Sequence, residues 1–255
     1  MVFKIKHLAK LKPNNVVFIG GLPGIGNVGK IAVDFIIENL KAKKMVKIHS
    51  NNFPHSVFVN ENNMVELPSI ELYHKKIKEV DFIFMSGDVQ PVDESSCYEF
   101  CDAVLNILEG YGCREVVTLG GIGLNNIPKA PKVYVTGTEK KFVQTFKGTI
   151  KEIYGVVGPI IGVSGVMLGV AGTRGIPSAA LLAQTFGHPA YLGIKGAREI
   201  LQVLNERYKL KLNIKQLNEE INEIEEDLRI KTQQLSDLKE TAERRKGNKE
   251  LTYFG

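Results

Sequence analysis

Residues 20–31 read Gly-Gly-Leu-Pro-Gly-Ile-Gly-Asn-Val-Gly-Lys-Ile, a glycine-rich stretch between an apolar run and a helical pattern. Backbone N–H groups at such a junction can cradle a phosphate. Gly24, Gly26 and Gly29 fit the dinucleotide-binding spacing, which requires an acid about 20 residues further on for the ribose hydroxyl. The segment that should supply it reads His49-Ser50-Asn51-Asn52, without a carboxylate. Gly24-x4-Gly29-Lys30 is also one residue short of a P-loop, because Ile31 stands where a hydroxyl must meet magnesium. Both nucleotide readings fail at the residue that makes them specific. What stays open is an anion-binding loop made by Gly24, Gly26, Gly29 and Lys30, or a tight turn that needs glycine.

Other candidates are weaker. Gly162-Val163-Ser164-Gly165-Val166 resembles a nucleophile elbow, but Val166 replaces the final glycine and no His/Asp pairing is evident. His7, His49, His55, His74 and His188 lack metal spacing, so the sequence specifies no metal and no cofactor. Cys97 and Cys101 lie one helical turn apart, a spacing that suits packed thiols better than zinc. Asp88 and Gln90 follow one strand and Gly120-Gly121 another, where α/β folds place ligands; a turn-capping aspartate fits Asp88 as well.

The carboxy-terminal fifth carries a different signal. Ile214, Leu217, Ile221, Ile224, Leu228, Leu235 and Leu238 recur at alternating steps of three and four, with Lys231 interrupting the seam. This heptad pattern predicts a long helix that packs on a second copy, on the body or on a partner, and self-association is the expected outcome. Asn213 with Gln216 suits a capping pair, acids cluster early and bases late, and Gly247-Asn248 marks a stop. Beyond it stand Tyr253, Phe254 and Gly255. Two aromatics there either pack back on the body or anchor the chain in a partner's pocket, with a carboxylate beside them.

The elements that must position these residues alternate between strand and helix. Val16–Gly20, Met45–His49, Ser56–Asn60, Val80–Met85, Val116–Leu119 and Val133–Thr136 read as strands; residues 28–40, 94–108, 179–186 and 195–208 read as helices. Ile153 to Thr173 is uncharged, but six glycines and Pro159 argue against a membrane helix, and its valines and isoleucines predict a buried strand followed by a turn. The expected fold is α/β, with a mostly parallel sheet, helices on both faces and the long heptad helix after it. The predicted divisions are a body at 1–208, a coiled-coil helix at 209–246 and a tail at 247–255.

Composition supports a globular protein, with 44% hydrophobic and 24% charged residues among 255. Three cysteines argue against a disulfide framework and for a reducing, cytoplasmic setting, and the opening residues lack the features of a secretory signal. The net charge of +5 belongs to residues 1–208, because 209–255 balance ten bases with ten acids. Spread over a body of that size it is too dilute to indicate nucleic-acid binding.

In order along the chain, Pro23-Gly24-Ile25-Gly26-Asn27-Val28-Gly29-Lys30, Asn52-Phe53-Pro54, Gly87-Asp88-Val89-Gln90-Pro91, Thr118-Leu119-Gly120-Gly121 and Leu182-Ala183-Gln184-Thr185 together resemble the proteasome assembly chaperone family in its archaeal, homo-oligomeric form. The resemblance covers about residues 14–245. It implies a non-catalytic α/β body that oligomerises and binds the α-subunits of the 20S proteasome. Family members often end in a hydrophobic residue, a tyrosine and any residue, a tail that docks between neighbouring α-subunits. Tyr253, Phe254 and Gly255 would fill those three positions, with Phe254 lacking the tyrosine hydroxyl. The competing expectation is an enzyme binding a nucleotide or phosphorylated metabolite at the Gly24–Gly29 loop.

Overall fold

The computed structural model describes residues 3–60, 62–150 and 158–214, nearly all in one compact unit, Met1–Leu212. Of the second unit, Asn213–Gly255, residues 213 and 214 are described. The heptad positions from Leu217 to Leu238 and the Tyr253-Phe254-Gly255 tail lie outside the described residues; Ile214 is half-buried.

Ten strands are described: β1 (Phe3–His7), β2 (Val16–Gly20), β3 (Lys43–Ser50), β4 (Phe58–Val59), β5 (Val65–Glu66), β6 (Ile70–Ile77), β7 (Val80–Gly87), β8 (Cys113–Leu124), β9 (Val133–Gly137) and β10 (Ser178–Phe186). The helices are α1 (Val28–Asn39), α2 (Glu94–Glu109), α3 (Lys140–Gln144), α4 (Val163–Thr173) and α5 (Ile194–Tyr208). Eight strands form one sheet in the order β1-β3-β6-β7-β2-β8-β10-β9, and β4 pairs with β5 in a separate hairpin. Strands β7, β2, β8 and β10 run parallel at its centre. Antiparallel strands flank them on both sides.

Period-two alternation sends successive residues of β2 to opposite faces. Val16 and Phe18 join the cluster of Ile83, Met85, Phe100, Val104 and Met167, under α2 and α4. The alternate residues face α1 and α5; there Phe82 stacks on Phe84 and meets the Tyr208 ring edge-on. Both faces are therefore covered, and the central strands are mostly apolar and buried, as suits parallel strands.

Two element assignments need correction. Residues 179–186, expected as a helix, form strand β10. Alanine and leucine favour helix locally, but Ser178–Phe186 is inserted between β8 and β9 and buried on both faces. Small side chains suit that position: a Cβ added to Gly196 of α5 would stand 3.2 Å from the Ala183 Cβ. Residues 163–173, expected within a strand and turn, form helix α4. Its Val163, Met167 and Ala171 pack with Phe100 and Cys101 of α2, so tertiary packing outweighs the strand preference of valine. The expected strand Ser56–Asn60 shrinks to Phe58–Val59, and β8 continues through Gly120-Gly121 to Leu124.

Several polar side chains pair across elements. Arg207 of α5 lies over the Phe146 ring at 4.0 Å, and its Nη1 donates to the Thr145 carbonyl at 2.9 Å, fastening α5 to the segment after α3. Arg174 joins Asp102 and Glu109 of α2 at 2.5 and 2.7 Å. Asp81 accepts from His74 Nε2 at 2.6 Å and from the Asn14 backbone N–H at 3.2 Å. Burial pushes the Asp81 carboxyl up, but these hydrogen bonds, with the charges of His74 and Lys76, hold it below its ordinary range. A carboxylate with a lowered folded-state pKa gives stability that is present above the unfolded value, about 3.9, and lost as pH falls through the folded one. Asp81→Asn is expected to lower stability near neutrality by about 1–2 kcal/mol and to flatten the acid limb below about pH 4. Urea midpoints from pH 3 to 7 check this; parallel curves for parent and variant would exclude the role of Asp81.

Candidate functional site

The glycine loop runs from the end of β2, through a 3-10 turn at Ile25–Asn27, into α1. Gly26 has φ +60°, and a Cβ on it would stand 2.6 Å from Thr185 Oγ1, so conformation and space both favour glycine there. Gly29 opens α1 against the central sheet, where a Cβ would come within 2.3 Å of the Leu119 carbonyl oxygen. The Gly193 N–H donates to the Gly26 carbonyl at 2.7 Å, tying the loop to the start of α5. Lys30 pairs with Asp34 at 2.8 Å, and Asp34 also accepts from the Ser86 hydroxyl. These contacts account for Gly26 and Gly29 through the fold itself.

The loop stands at the carboxyl ends of the parallel strands, where the connection after β2 passes to one face and that after β7 to the other. Such a switch point is where open α/β sheets bind ligands. Gln90 bridges it: its amide donates to the Pro23 carbonyl, and its Oε1 accepts the Val163 N–H of α4 at 2.9 Å. Asp88 accepts the Ser69 N–H at 3.1 Å, extending the β6–β7 pairing rather than capping a turn of its own. Gly120-Gly121 lies inside β8, where it pairs with Leu182-Ala183 of β10. The structure thus brings Gly24, Gly26, Gly29, Gln90 and the start of α4 together, with Gln90 as the tie between them.

The remaining chemical candidates are structural. The Ser164 carbonyl accepts from Thr118 Oγ1 at 3.2 Å, and its hydroxyl points to the Leu119 carbonyl, 3.5 Å away, in the first turn of α4. Cys97 and Cys101 are buried, and the hydrogen bond between them together with burial pushes the Cys101 thiol up and keeps it protonated. Burial pushes the Cys113 thiol up to about 12. Among the described residues no group of three or more His, Cys, Asp and Glu is placed to hold a metal, and no helix is long and apolar enough to cross a membrane.

One surface escaped the sequence reading. The β4–β5 hairpin exposes Val57, Phe58, Val59, Met64, Val65 and Leu67 within eleven residues. The runs Val57-Phe58-Val59 and Met64-Val65-Glu66-Leu67 around an Asn-rich turn were the available signal. Exposed apolar side chains gathered on one element are commoner on interaction surfaces than at catalytic sites.

Residues 18–230 match the model of the PAC2 family. An uncharacterised protein of Methanocaldococcus jannaschii is 28% identical over 255 residues, which span 99% of this chain and 96% of the relative. The crystal structure of Pyrococcus furiosus PbaB, described as an archaeal proteasome activator, superposes with a TM-score of 0.83 at 30% identity and covers 89% of this chain and 97% of its own. Pyrococcus furiosus PbaA, described as an archaeal homologue of proteasome-assembly chaperone, superposes with a TM-score of 0.76 at 24% identity, over 97% and 99% of the two chains. At that identity the likeness to PbaA is one of fold.

Proposed function

The chain belongs to the PAC2 family, and from that premise we propose that it is a non-catalytic proteasome assembly chaperone or activator that binds 20S α-subunits in the cytoplasm. The observation that carries the reading is the match to PbaB, which extends over 97% of that activator's chain at 30% identity. The geometry of the strand-end crevice is in keeping with it. The Gln90 side chain ties the loop at Pro23 to the start of α4 through two hydrogen bonds, a fixed join rather than an open cleft.

The proposed division of labour follows the chain. The body at 1–208 supplies recognition surface, and the heptad helix at 209–246 assembles copies through Ile214, Leu217, Ile221, Ile224, Leu228, Leu235 and Leu238. The segment 247–255 presents Tyr253, Phe254 and Gly255 to pockets in the α-ring. Burying one aromatic is worth roughly 1.5–3 kcal/mol before the cost of ordering the tail, so a single tail reaches about millimolar affinity. Several tails on one oligomer gain about 10²–10⁴ through effective concentration. The test is sedimentation of the purified full chain with free α-subunits and with assembled 20S particles. Co-migration with either is expected; migration of the chain alone in both mixtures would end this reading.

A further inference from the structure

Strand β1 is an edge of the eight-stranded sheet and, among the described residues, pairs with β3 alone. Its register sets Lys4 opposite His49 and Lys6 opposite Lys47, and the Leu8 N–H donates to the Met45 carbonyl at 2.9 Å. Hydrogen-bonded pairs recur at every second residue of an antiparallel ladder, so the backbone of Lys4 and Lys6 turns toward β3. The N–H and carbonyl groups of Phe3, Ile5 and His7 then face outward, a row of donors and acceptors ready for another strand.

The side chains divide this edge by chemistry. Phe3, Ile5 and His7 project to the face covered by α2, where with Ala103 and Ile107 they line an open groove of about 580 Å³. Glu99 also lines it, which disfavours a second acid on that side. The opposite face carries Lys4 and Lys6, both exposed. Further in, Lys44 and Lys47 share Glu71, at 2.7 and 3.6 Å, which leaves Lys4 and Lys6 without an acid among the described residues.

We propose that β1 receives an extended segment of an acidic partner protein as an added strand, with aliphatic side chains in the α2 groove and carboxylates beside Lys4 and Lys6. Strand addition takes its affinity from the backbone ladder and its selectivity from alternate side chains. Successive residues of a strand face opposite ways, so the segment that fits alternates acid with aliphatic along the five residues of β1. The same lysines reject a second copy. Two β1 strands paired antiparallel about Ile5 would set Lys4 opposite Lys6 twice, and like charges directly opposite destabilise a ladder. An acidic strand meets that pair with the opposite sign, so two side chains serve attraction and exclusion together. The contact lies on the body and goes beyond the proposed function, needing neither the heptad helix nor the tail.

The test titrates the full chain into three labelled peptides in which valine alternates with glutamate, with serine or with lysine. Fluorescence anisotropy is expected to show saturable binding of the glutamate peptide, about tenfold tighter than the serine peptide, and no binding of the lysine peptide. Lys4→Glu with Lys6→Glu reverses two exposed charges and is expected to exchange the preference, with the lysine peptide bound and the glutamate peptide lost. Ile5→Pro removes an outward N–H while sparing the bonds to β3, and is expected to weaken the glutamate peptide about tenfold at an unchanged circular dichroism spectrum. The charge exchange is decisive without it. Equal affinity for the three peptides, binding of none, or an unchanged preference in the charge-reversed variant overturns the proposal. A single-stranded oligonucleotide bound in place of the glutamate peptide also overturns it and gives the lysines to nucleic acid. A solution mass that Ile5→Pro halves, or peptide binding that emerges only after removal of residues 247–255, overturns it in favour of a second copy or of the chain's own tail.

Discussion

Removing Tyr253, Phe254 and Gly255 from the full-length chain is expected to weaken capture of 20S α-subunits by at least about a hundredfold. The size follows from multivalency. A tail with roughly millimolar affinity contributes little alone, but linked tails raise each other's local concentration by about 10²–10⁴. Deleting them removes that gain along with the buried aromatics. Phe254→Tyr is the complementary variant: the added hydroxyl offers one more hydrogen bond, worth about 0.5–1.5 kcal/mol and so up to about tenfold in affinity. Surface-bound α-subunits titrated with parent, truncated and Phe254→Tyr chains give all three constants. Unchanged binding by the truncated chain would shift recognition to the body.

The parts of this molecule that could be read from its sequence are those where local pattern and tertiary demand agree. Val16–Gly20, Glu94–Glu109 and Ile194–Tyr208 carry runs or periodicities that their final positions reward. Asp93 caps α2 by accepting the Ser96 N–H at 2.9 Å, a purely local signal. Where the two demands conflict, the local signal misleads. Ser178–Phe186 has a helix-forming composition and becomes a strand because it pairs with β8 and β9 on either side, with Ala183 lying close to Gly196 of α5. Residues 163–173 favour strand by their valines and become a helix because α2 offers them a buried surface. Strand β6 alternates Ile70 and Leu72 with Glu71 and Tyr73, but His74 and Lys76 end its apolar face, which leaves only a short local signal. Its pairing with β7 over eight residues is a long-range property.

The glycine loop shows how a functional signature and a packing requirement share the same residues. Phosphate loops and tight helix–strand contacts both need backbone without side chains, so sequence alone leaves Gly24, Gly26 and Gly29 open to either. Space around each glycine distinguishes them. Gly24 has φ −168°, and a Cβ there would find its nearest neighbour, the Leu22 carbonyl, 3.9 Å away. Gly29 is confined by backbone on two sides: its own Cβ would meet the Leu119 carbonyl oxygen at 2.3 Å, and its carbonyl stands 2.1 Å from a Cβ on Gly21.

Gly29→Ala is therefore expected to be severely destabilising, by about 3–5 kcal/mol, a large share of the roughly 5–15 kcal/mol that holds a domain together. The obstacle is the backbone of a central strand, which has no flexible end to move aside; relief requires α1 to lift off β8. Gly24→Ala, in contrast, is expected to stay within about 0.5–1 kcal/mol of the parent, because its conformation suits any residue and its Cβ enters open space. Urea midpoints of the two variants decide between the roles. If Gly29→Ala unfolds at the parental midpoint, packing does not dictate the glycine and a ligand at the loop becomes the stronger explanation. If the two variants separate as expected, Gly29 serves the join between α1 and β8, while Gly24 answers to no packing demand. The motif that looks most catalytic in the sequence then owes its Gly29 to the seating of α1 on the central sheet.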